Sequence, residues 1–331
     1  MSVSGSVSGS GPGLLATELR VAERVLADAG VPSPRADAEL LAAHLLGIGR
    51  GELQAAVILG RPAPVGLSEL VARRAARIPL QHLTGTAPFR GLELAVGPGV
   101  FVPRPETEQV AQVAIDAAAA AVRASGHALV VDLCTGSGAI ALAVAREVPG
   151  AVVHAVELDA QAHAWAERNV RHLSAAPAPQ GALTPRDADV ADVRGGEVIL
   201  HRGDARTALG ELDAAVDVVV ANPPYIPPGA VPMDPEVAEH DPAVALYGLG
   251  ADGLEVPRGI VAAAARLLRP GGLLVLEHAE VQDAAARAMV DATGLFATAV
   301  TGRDLTGRAR MVIARRSGGT PDRADVEHST S

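Results

Sequence analysis

Asn222, Pro223, Pro224 and Tyr225 stand in succession directly after an apolar run at 216–221, and their types suit a flat, conjugated nitrogen as the reacting group. Two consecutive prolines withhold two amide donors and keep the chain extended, so the Asn222 side-chain oxygen and the Pro223 carbonyl can face one ligand together. Two acceptors so placed match a single NH2 group. In an amide the nitrogen lone pair is delocalised, and two acceptors drawing on its hydrogens favour the pyramidal geometry that attack on a methyl sulfonium requires. Catalysis of that kind works by orientation and selective stabilisation, without a strong general base. Tyr225 adds a π face that can stack on a flat group or flank a cationic methyl centre. Asn222, Pro223 and Tyr225 are the catalytic candidates; in isolation the same four residues also fit a proline-rich loop capping a buried strand.

The methyl donor needs its own cradle, and one lies upstream. Val130-Val131-Asp132-Leu133-Cys134-Thr135-Gly136-Ser137-Gly138-Ala139-Ile140 reads as an apolar strand, a small-residue turn and the start of a helix. Such a turn lets the backbone approach a ligand closely and aims free helix amides at it. Asp132, Cys134, Thr135, Gly136, Ser137 and Gly138 are therefore candidate cofactor contacts. Roughly twenty residues on, Glu157 ends a second strand, where a carboxylate can accept from both ribose hydroxyls. Alone, this turn fits S-adenosylmethionine about as well as nicotinamide or flavin ligands and plain close packing taken together. Asp204, in His201-Arg202-Gly203-Asp204, shifts the balance by offering an acceptor to an adenine amino group, although a lone acid at a strand end is more often solvated or a helix cap. Taken with the downstream tetrad, the cradle predicts S-adenosyl-L-methionine as cofactor and S-adenosyl-L-homocysteine as product.

The elements that position these residues follow from periodicity. Apolar runs at 128–132, 152–157, 198–201, 216–221 and 272–277 alternate with amphipathic helical patterns, which predicts an α/β fold with a mostly parallel sheet covered on both faces. Helical spacing over 14–78, as in Leu15, Leu19, Ala22, Val25 and Leu26, predicts a small helical domain. Ser33-Pro34 is a helix start, the hydroxyl capping free amides, while Gly30 and Gly47 sit where helices stop. Short β-prone pieces among glycines at 79–103 predict a hairpin connector, and a helix follows Glu106 to about Ala124. The Ser/Gly lead 1–13 and the polar tail 317–331 are expected to be disordered, and 174–196 to be a surface insertion.

Composition narrows the class further. A net charge of −10 lacks the broad basic footprint of a protein that grips a duplex by its phosphates, so no direct nucleic-acid contact is expected. The longest apolar runs are too short to span a bilayer, and the lead lacks a signal-peptide core, which predicts a cytoplasmic protein with no membrane partner. One cysteine permits no internal disulfide and no zinc cluster, so no metal is expected.

At the tetrad and the glycine turn the chain resembles the HemK/PrmC family, the peptide chain release factor glutamine methyltransferases. Pro79-Leu80-Gln81-His82-Leu83-Thr84-Gly85 resembles the family's connector, and Phe101-Val102-Pro103-Arg104-Pro105-Glu106-Thr107-Glu108 its hallmark segment at the start of the catalytic domain. Asp241-Pro242-Ala243-Val244-Ala245-Leu246, Gly250-Ala251-Asp252-Gly253-Leu254 and Leu276-Glu277-His278 also resemble family stretches, so the likeness covers roughly 14–315. The resemblance implies a helical docking domain, a Rossmann-like seven-stranded class I methyltransferase domain over 104–316, and methyl transfer to the glutamine of the Gly-Gly-Gln loop of class I release factors. It implies cofactor roles for the turn, Glu157 and Asn222, an adenine-pocket place for Ala205 beside Asp204, and glutamine binding by Asn222, Pro223, Pro224 and Tyr225. Phe101 and Arg104 are candidates to close over the pocket, but Arg104 reads equally as half of a structural ion pair. The expected working form is a monomer.

The chain departs from the family at Cys134, where many relatives carry the first glycine of the turn. A backbone suited to a Cβ is expected there, with Cys134 a small packing residue rather than a reactive thiol. His278 reads as a satisfied interior histidine. Alternatives are a methyltransferase acting on the exocyclic amine of adenine in DNA or RNA, one acting on glutamine of a ribosomal protein, or an inactive cofactor-binding partner of a translation factor.

Overall fold

The structure, a computed structural model, describes residues 13–174 and 196–318. The lead up to residue 12, positions 175–195 of the expected insertion, and the tail from 319 lie outside the described residues.

Two compact units divide the chain: Met1–Thr86 with Pro232–His240, and Ala87–Val231 with Asp241–Ser331. The first holds α1 (Leu15–Asp28), α2 (Pro34–Leu46), α3 (Arg50–Ile58), α4 (Leu67–Ala75) and α5 (Leu80–Thr84). Leu15, Leu26, Leu41 and Leu53 are fully buried in its core. The stops fall where glycine permits a left-handed residue, with φ 72° at Gly30 and 63° at Gly47. Pro34 opens α2, but Ser33 makes no side-chain capping bond, so the fixed φ of the proline is what starts the helix. The stretch expected as a hairpin connector begins instead with α5, because Leu80 and Leu83 turn toward the helical core.

The second unit begins with β1 (Thr86–Phe89) and β2 (Leu92–Ala95), which pair across the tight turn Arg90-Gly91. Both turn residues have positive φ, 46° and 72°, the geometry that matches strand twist in a two-residue hairpin. The Arg90 guanidinium is held by Glu147 at 2.6 Å. Then follow α6 (Thr107–Ser125), β3 (Ala128–Leu133), α7 (Ala139–Glu147), β4 (Ala151–Glu157), α8 (Ala160–Ser174), β5 (Glu197–Arg202) and β6 (Val216–Ala221). Beyond α9 (Pro235–His240), which belongs to the first unit, come α10 (Ala243–Leu246), α11 (Glu255–Leu267), β7 (Leu268–Glu277), α12 (Asp283–Asp291), β8 (Val300–Arg303) and β9 (Ala309–Arg315).

Seven strands form one sheet in the order β5-β4-β3-β6-β7-β9-β8. The first five pair in parallel and β9 is antiparallel to both its neighbours. Alternation splits each strand between two cores: Val130, Val153, Val218 and Val220 face α6 and α7, while Val131, Leu133, Val219 and Ala221 face α11. Strands buried on both sides must be apolar throughout, which is why they read as unbroken Val/Leu runs. The order reverses between β3 and β6, the switch point at which open α/β sheets bind ligands beyond the carboxyl ends of their strands.

Candidate functional site

Register brings the sequence motifs together. Leu133 of β3 pairs with Val156 of β4 and with Ala221 of β6, so Cys134, Glu157 and Asn222 emerge side by side at one sheet edge. With strands about 4.8 Å apart, Glu157 and Asn222 flank the glycine turn at roughly one strand spacing each. Glu157 pairs with Arg202 of β5, which puts Asp204 two residues beyond the same edge.

The turn is braced from within. Asp132 is buried, and its Oδ2 accepts from the Thr135 hydroxyl and from Ala141 N, tying the strand end to the first turn of α7. Burial raises its carboxyl to about 7, and Oδ1 is buried without a hydrogen-bond partner. Gly136 and Gly138 have φ of 58° and 86°, and a Cβ at Gly136 would meet no atom within 4 Å, so space is open over the turn. Glu157 accepts from Gly136 N and Asp159 N, both at 2.8 Å, and its carboxyl is still raised because burial outweighs those bonds. An open cradle of small residues, an orphaned acceptor and a carboxylate at the next strand end fit a nucleoside-bearing ligand. Asp204 is engaged by the Arg206 guanidinium, which holds its carboxyl below the usual range, so any adenine contact would use its remaining lone pairs. Ala205 is buried with Leu209 and Val156 beneath it.

The tetrad is held by backbone from two later segments. Tyr225 N and Ile226 N donate to Leu246 O, and Gly248 N donates back to Ile226 O. The Gln282 amide donates to both Tyr225 O and Asp252 O, closing 252–254 against the loop. A Cβ at Gly253 would lie 2.4 Å from Tyr225 O, so glycine is required by close approach as well as by its φ of 74°. The Asn222 amide donates to Thr107 Oγ1 at 3.4 Å, and the Tyr225 hydroxyl reaches Glu277 Oε1 at 3.5 Å. Burial and the nearby Glu277 push the Tyr225 phenol up, so it stays protonated. Arg104 stacks over Phe101 at 5.1 Å and donates to the buried Asp241 at 2.7 Å. Its ion-pair partner is thus Asp241, from a family-like stretch, rather than the neighbouring Glu106.

Comparison with known proteins decides the family. The PrmC N-terminal domain model matches residues 18–85. A release factor glutamine methyltransferase of Streptomyces coelicolor is 48% identical over 92% of this chain and 99% of that protein. Another, from Mycolicibacterium smegmatis, is 47% identical over 91% of this chain and 98% of that protein. The chain belongs to the release factor glutamine methyltransferase family. A further relative, the 4-amino-L-phenylalanine/4-methylamino-L-phenylalanine methyltransferase of Streptomyces pristinaespiralis, is 41% identical over 86% of this chain and 90% of that protein.

In this member of the family, three residues brace the site without having been singled out by the sequence. Asn169 of α8 is buried, accepts from Ala95 N, and donates to Ala95 O and Ser137 O, pinning the glycine turn to β2. Thr107 and Gln282 brace the tetrad as described. Asn169 lies mid-helix with no motif around it, whereas Thr107 stands in the hallmark segment and Gln282 just after the Glu277-His278 pair. His278 is buried, and its Nδ1 lies 2.8 Å from Ala279 O.

Cys134 corrects an expectation. Its φ is 66°, so the left-handed conformation of a turn glycine persists despite the Cβ, at a strain of about 1 kcal/mol. Burial, with the Glu157, Asp132 and Asp204 carboxylates, pushes its thiol well above the usual range. At pH 8, iodoacetamide is expected to label the folded protein at least about tenfold more slowly than the unfolded chain, since only thiolate reacts. Equal rates would show an accessible, ionisable thiol.

Proposed function

We propose that this protein transfers a methyl group from S-adenosyl-L-methionine to the side-chain amide nitrogen of the glutamine in the Gly-Gly-Gln loop of class I peptide chain release factors. The observation that carries this reading is the shared edge of β3, β4 and β6, which sets the glycine turn and Glu157 beside Asn222. When bound, the cofactor supplies an activated methyl. Asp132 and the turn Cys134, Thr135, Gly136, Ser137 and Gly138 would hold it, with Glu157 at the ribose and Asp204 and Ala205 at the adenine. Asn222 Oδ1 and the Pro223 carbonyl accept the two amide hydrogens of the substrate, Pro224 and Tyr225 confine its plane, and Phe101 with the Asp241-anchored Arg104 covers its outer side. The helical unit docks the release factor. No described helix is long and apolar enough to cross a membrane. On this reading the protein works as a cytoplasmic monomer, without direct nucleic-acid contact.

The relative that methylates 4-amino-L-phenylalanine sets the competing outcome, because an arylamine is also a conjugated NH2. Labelled methyl donor should mark purified release factor and fail to mark a variant lacking the Gly-Gly-Gln glutamine, with neither free 4-amino-L-phenylalanine nor DNA labelled at comparable rate. Labelling that survives loss of that glutamine overturns the proposal.

A further inference from the structure

Trp165 and Asn169 stand four residues apart on α8, so they share one face of the helix. Asn169 is 2% exposed and uses its whole amide: Oδ1 accepts from Ala95 N at 2.7 Å, and Nδ2 donates to Ala95 O at 3.0 Å and to Ser137 O at 2.9 Å. Only one orientation serves these partners, since a flipped amide would set its NH2 against an N–H and its oxygen against two carbonyls. At the start of the helix Asp159 accepts from Gln161 N and Ala162 N, while its own N–H donates to Glu157. The helix is thereby tied to the Glu157 carboxylate at one end and to the glycine turn further along.

Between these anchors lies Trp165, the only tryptophan in the chain. Its indole Nε1 donates to Pro98 O at 3.2 Å, and its ring packs on the small cluster of Ala87, Val96, Val100, Val102 and Ala162. A Cβ on Gly97 would lie 2.6 Å from Trp165 Cζ2, and Gly97 has no left-handed φ, so close approach alone calls for glycine there. Val100 and Val102 are buried in this cluster, whereas Phe101 between them is half-buried and carries Arg104 over its ring. We infer that Trp165 and Asn169 are positioning residues for methyl transfer: from one helix face, Asn169 sets the cofactor turn and Trp165 sets the segment 97–102 that brings Phe101 over the substrate. The inference rests on the covering role proposed above for Phe101 and Arg104.

One helix then fixes the spacing of two parts that the chain delivers separately, the methyl donor at the strand ends and the substrate cover after β2. Transfer needs its reacting atoms about 3–3.5 Å apart, and a misplacement of about 1 Å can cost about 100-fold. Loss of the Trp165 anchor leaves the turn and Glu157 in place, so it falls on the reaction and spares cofactor binding. Loss of the hydrogens donated by Asn169 leaves Ser137 O, inside the turn itself, without its partner, so it falls on cofactor binding first.

Trp165→Leu should lower kcat on release factor at least about tenfold with S-adenosyl-L-homocysteine affinity, by calorimetry, within about threefold, whereas Trp165→Phe should keep kcat within about threefold. Gly97→Ala should also lower kcat at least about tenfold. In that variant acrylamide quenching of the sole tryptophan should rise, because the indole and the segment are pushed apart. Adding Trp165→Phe to Gly97→Ala should recover at least about threefold in kcat, since a phenyl ring lacks the Cζ2 and Cη2 atoms that the new methyl meets. General destabilisation would instead make the double variant worse than either single one. Asn169→Asp, which keeps the shape and loses the donors, should weaken S-adenosyl-L-homocysteine binding at least about tenfold. The inference is overturned if Trp165→Leu keeps kcat within about twofold or loses cofactor affinity in step, if the double variant is no better than Gly97→Ala, or if Asn169→Asp binds S-adenosyl-L-homocysteine as the wild type does. Calorimetry and quenching need no substrate, so they stand apart from any failure of the release-factor assignment, which would show as absent labelling by the wild type.

Discussion

Asn222→Ala is expected to lower kcat for release-factor methylation by about 100- to 1,000-fold, the range seen when one preorganised polar contact to a transition state is removed. Asn222 follows the strand end beside the glycine turn, and on the proposed reading its oxygen acts on the substrate amide as the nitrogen becomes pyramidal. The interaction strengthens along the reaction, so its loss falls on kcat more than on binding. Affinity for S-adenosyl-L-homocysteine, measured by calorimetry, should change by less than about threefold, because the turn, Asp132 and Glu157 are left in place. If both quantities fall together, Asn222 is a cofactor contact and the amide-gripping role is wrong.

Gly253→Ala should be nearly as damaging, and for a reason local sequence does not reveal. The added methyl would sit 2.4 Å from Tyr225 O and 2.7 Å from Pro227 N, both backbone atoms that no rotamer change can move, at a residue whose φ is 74°. Overpacking and left-handed strain together are expected to cost about 2–4 kcal/mol and to displace Tyr225, reducing kcat alongside the melting temperature. Gly229→Ala separates the two causes, since Gly229 also has positive φ, 83°, but a Cβ there meets nothing within 4 Å. That variant should cost only about 1 kcal/mol. Equal thermal losses in the two proteins would show that close approach to the tetrad is not what fixes Gly253.

The parallel half of the sheet was legible because burial on both faces demands unbroken apolar runs, and β3, β4, β5 and β6 lie within a residue or two of the predicted segments. β8 and β9 escaped the periodicity reading: they are an antiparallel edge pair carrying Arg303, Arg310 and Arg315, and only the family resemblance implied seven strands. The candidate ligand contacts could be proposed from sequence because the chemistry they would do is local, a turn or a tetrad. The bracing residues were not, because Asn169, Thr107 and Gln282 act across 30 residues or more on partners set by the fold. One signal was available: a carboxylate closing the apolar run Leu273–Leu276, as Glu277 does, is costly to bury unless it has work there. Cys134 shows the converse limit, since its φ of 66° is a left-handed conformation that its residue type does not announce.

The helical unit is discontinuous along the chain. Arg74, on α4 and 5% exposed, donates to Asp37 and to Glu236, and Glu236 belongs to a short stretch encoded some 160 residues later. Recombination that exchanges only an N-terminal block between homologues would pair a new guanidinium with an inherited carboxylate. Chimeras that exchange the helical unit therefore need two grafts, one ending near residue 86 and one spanning 232–240.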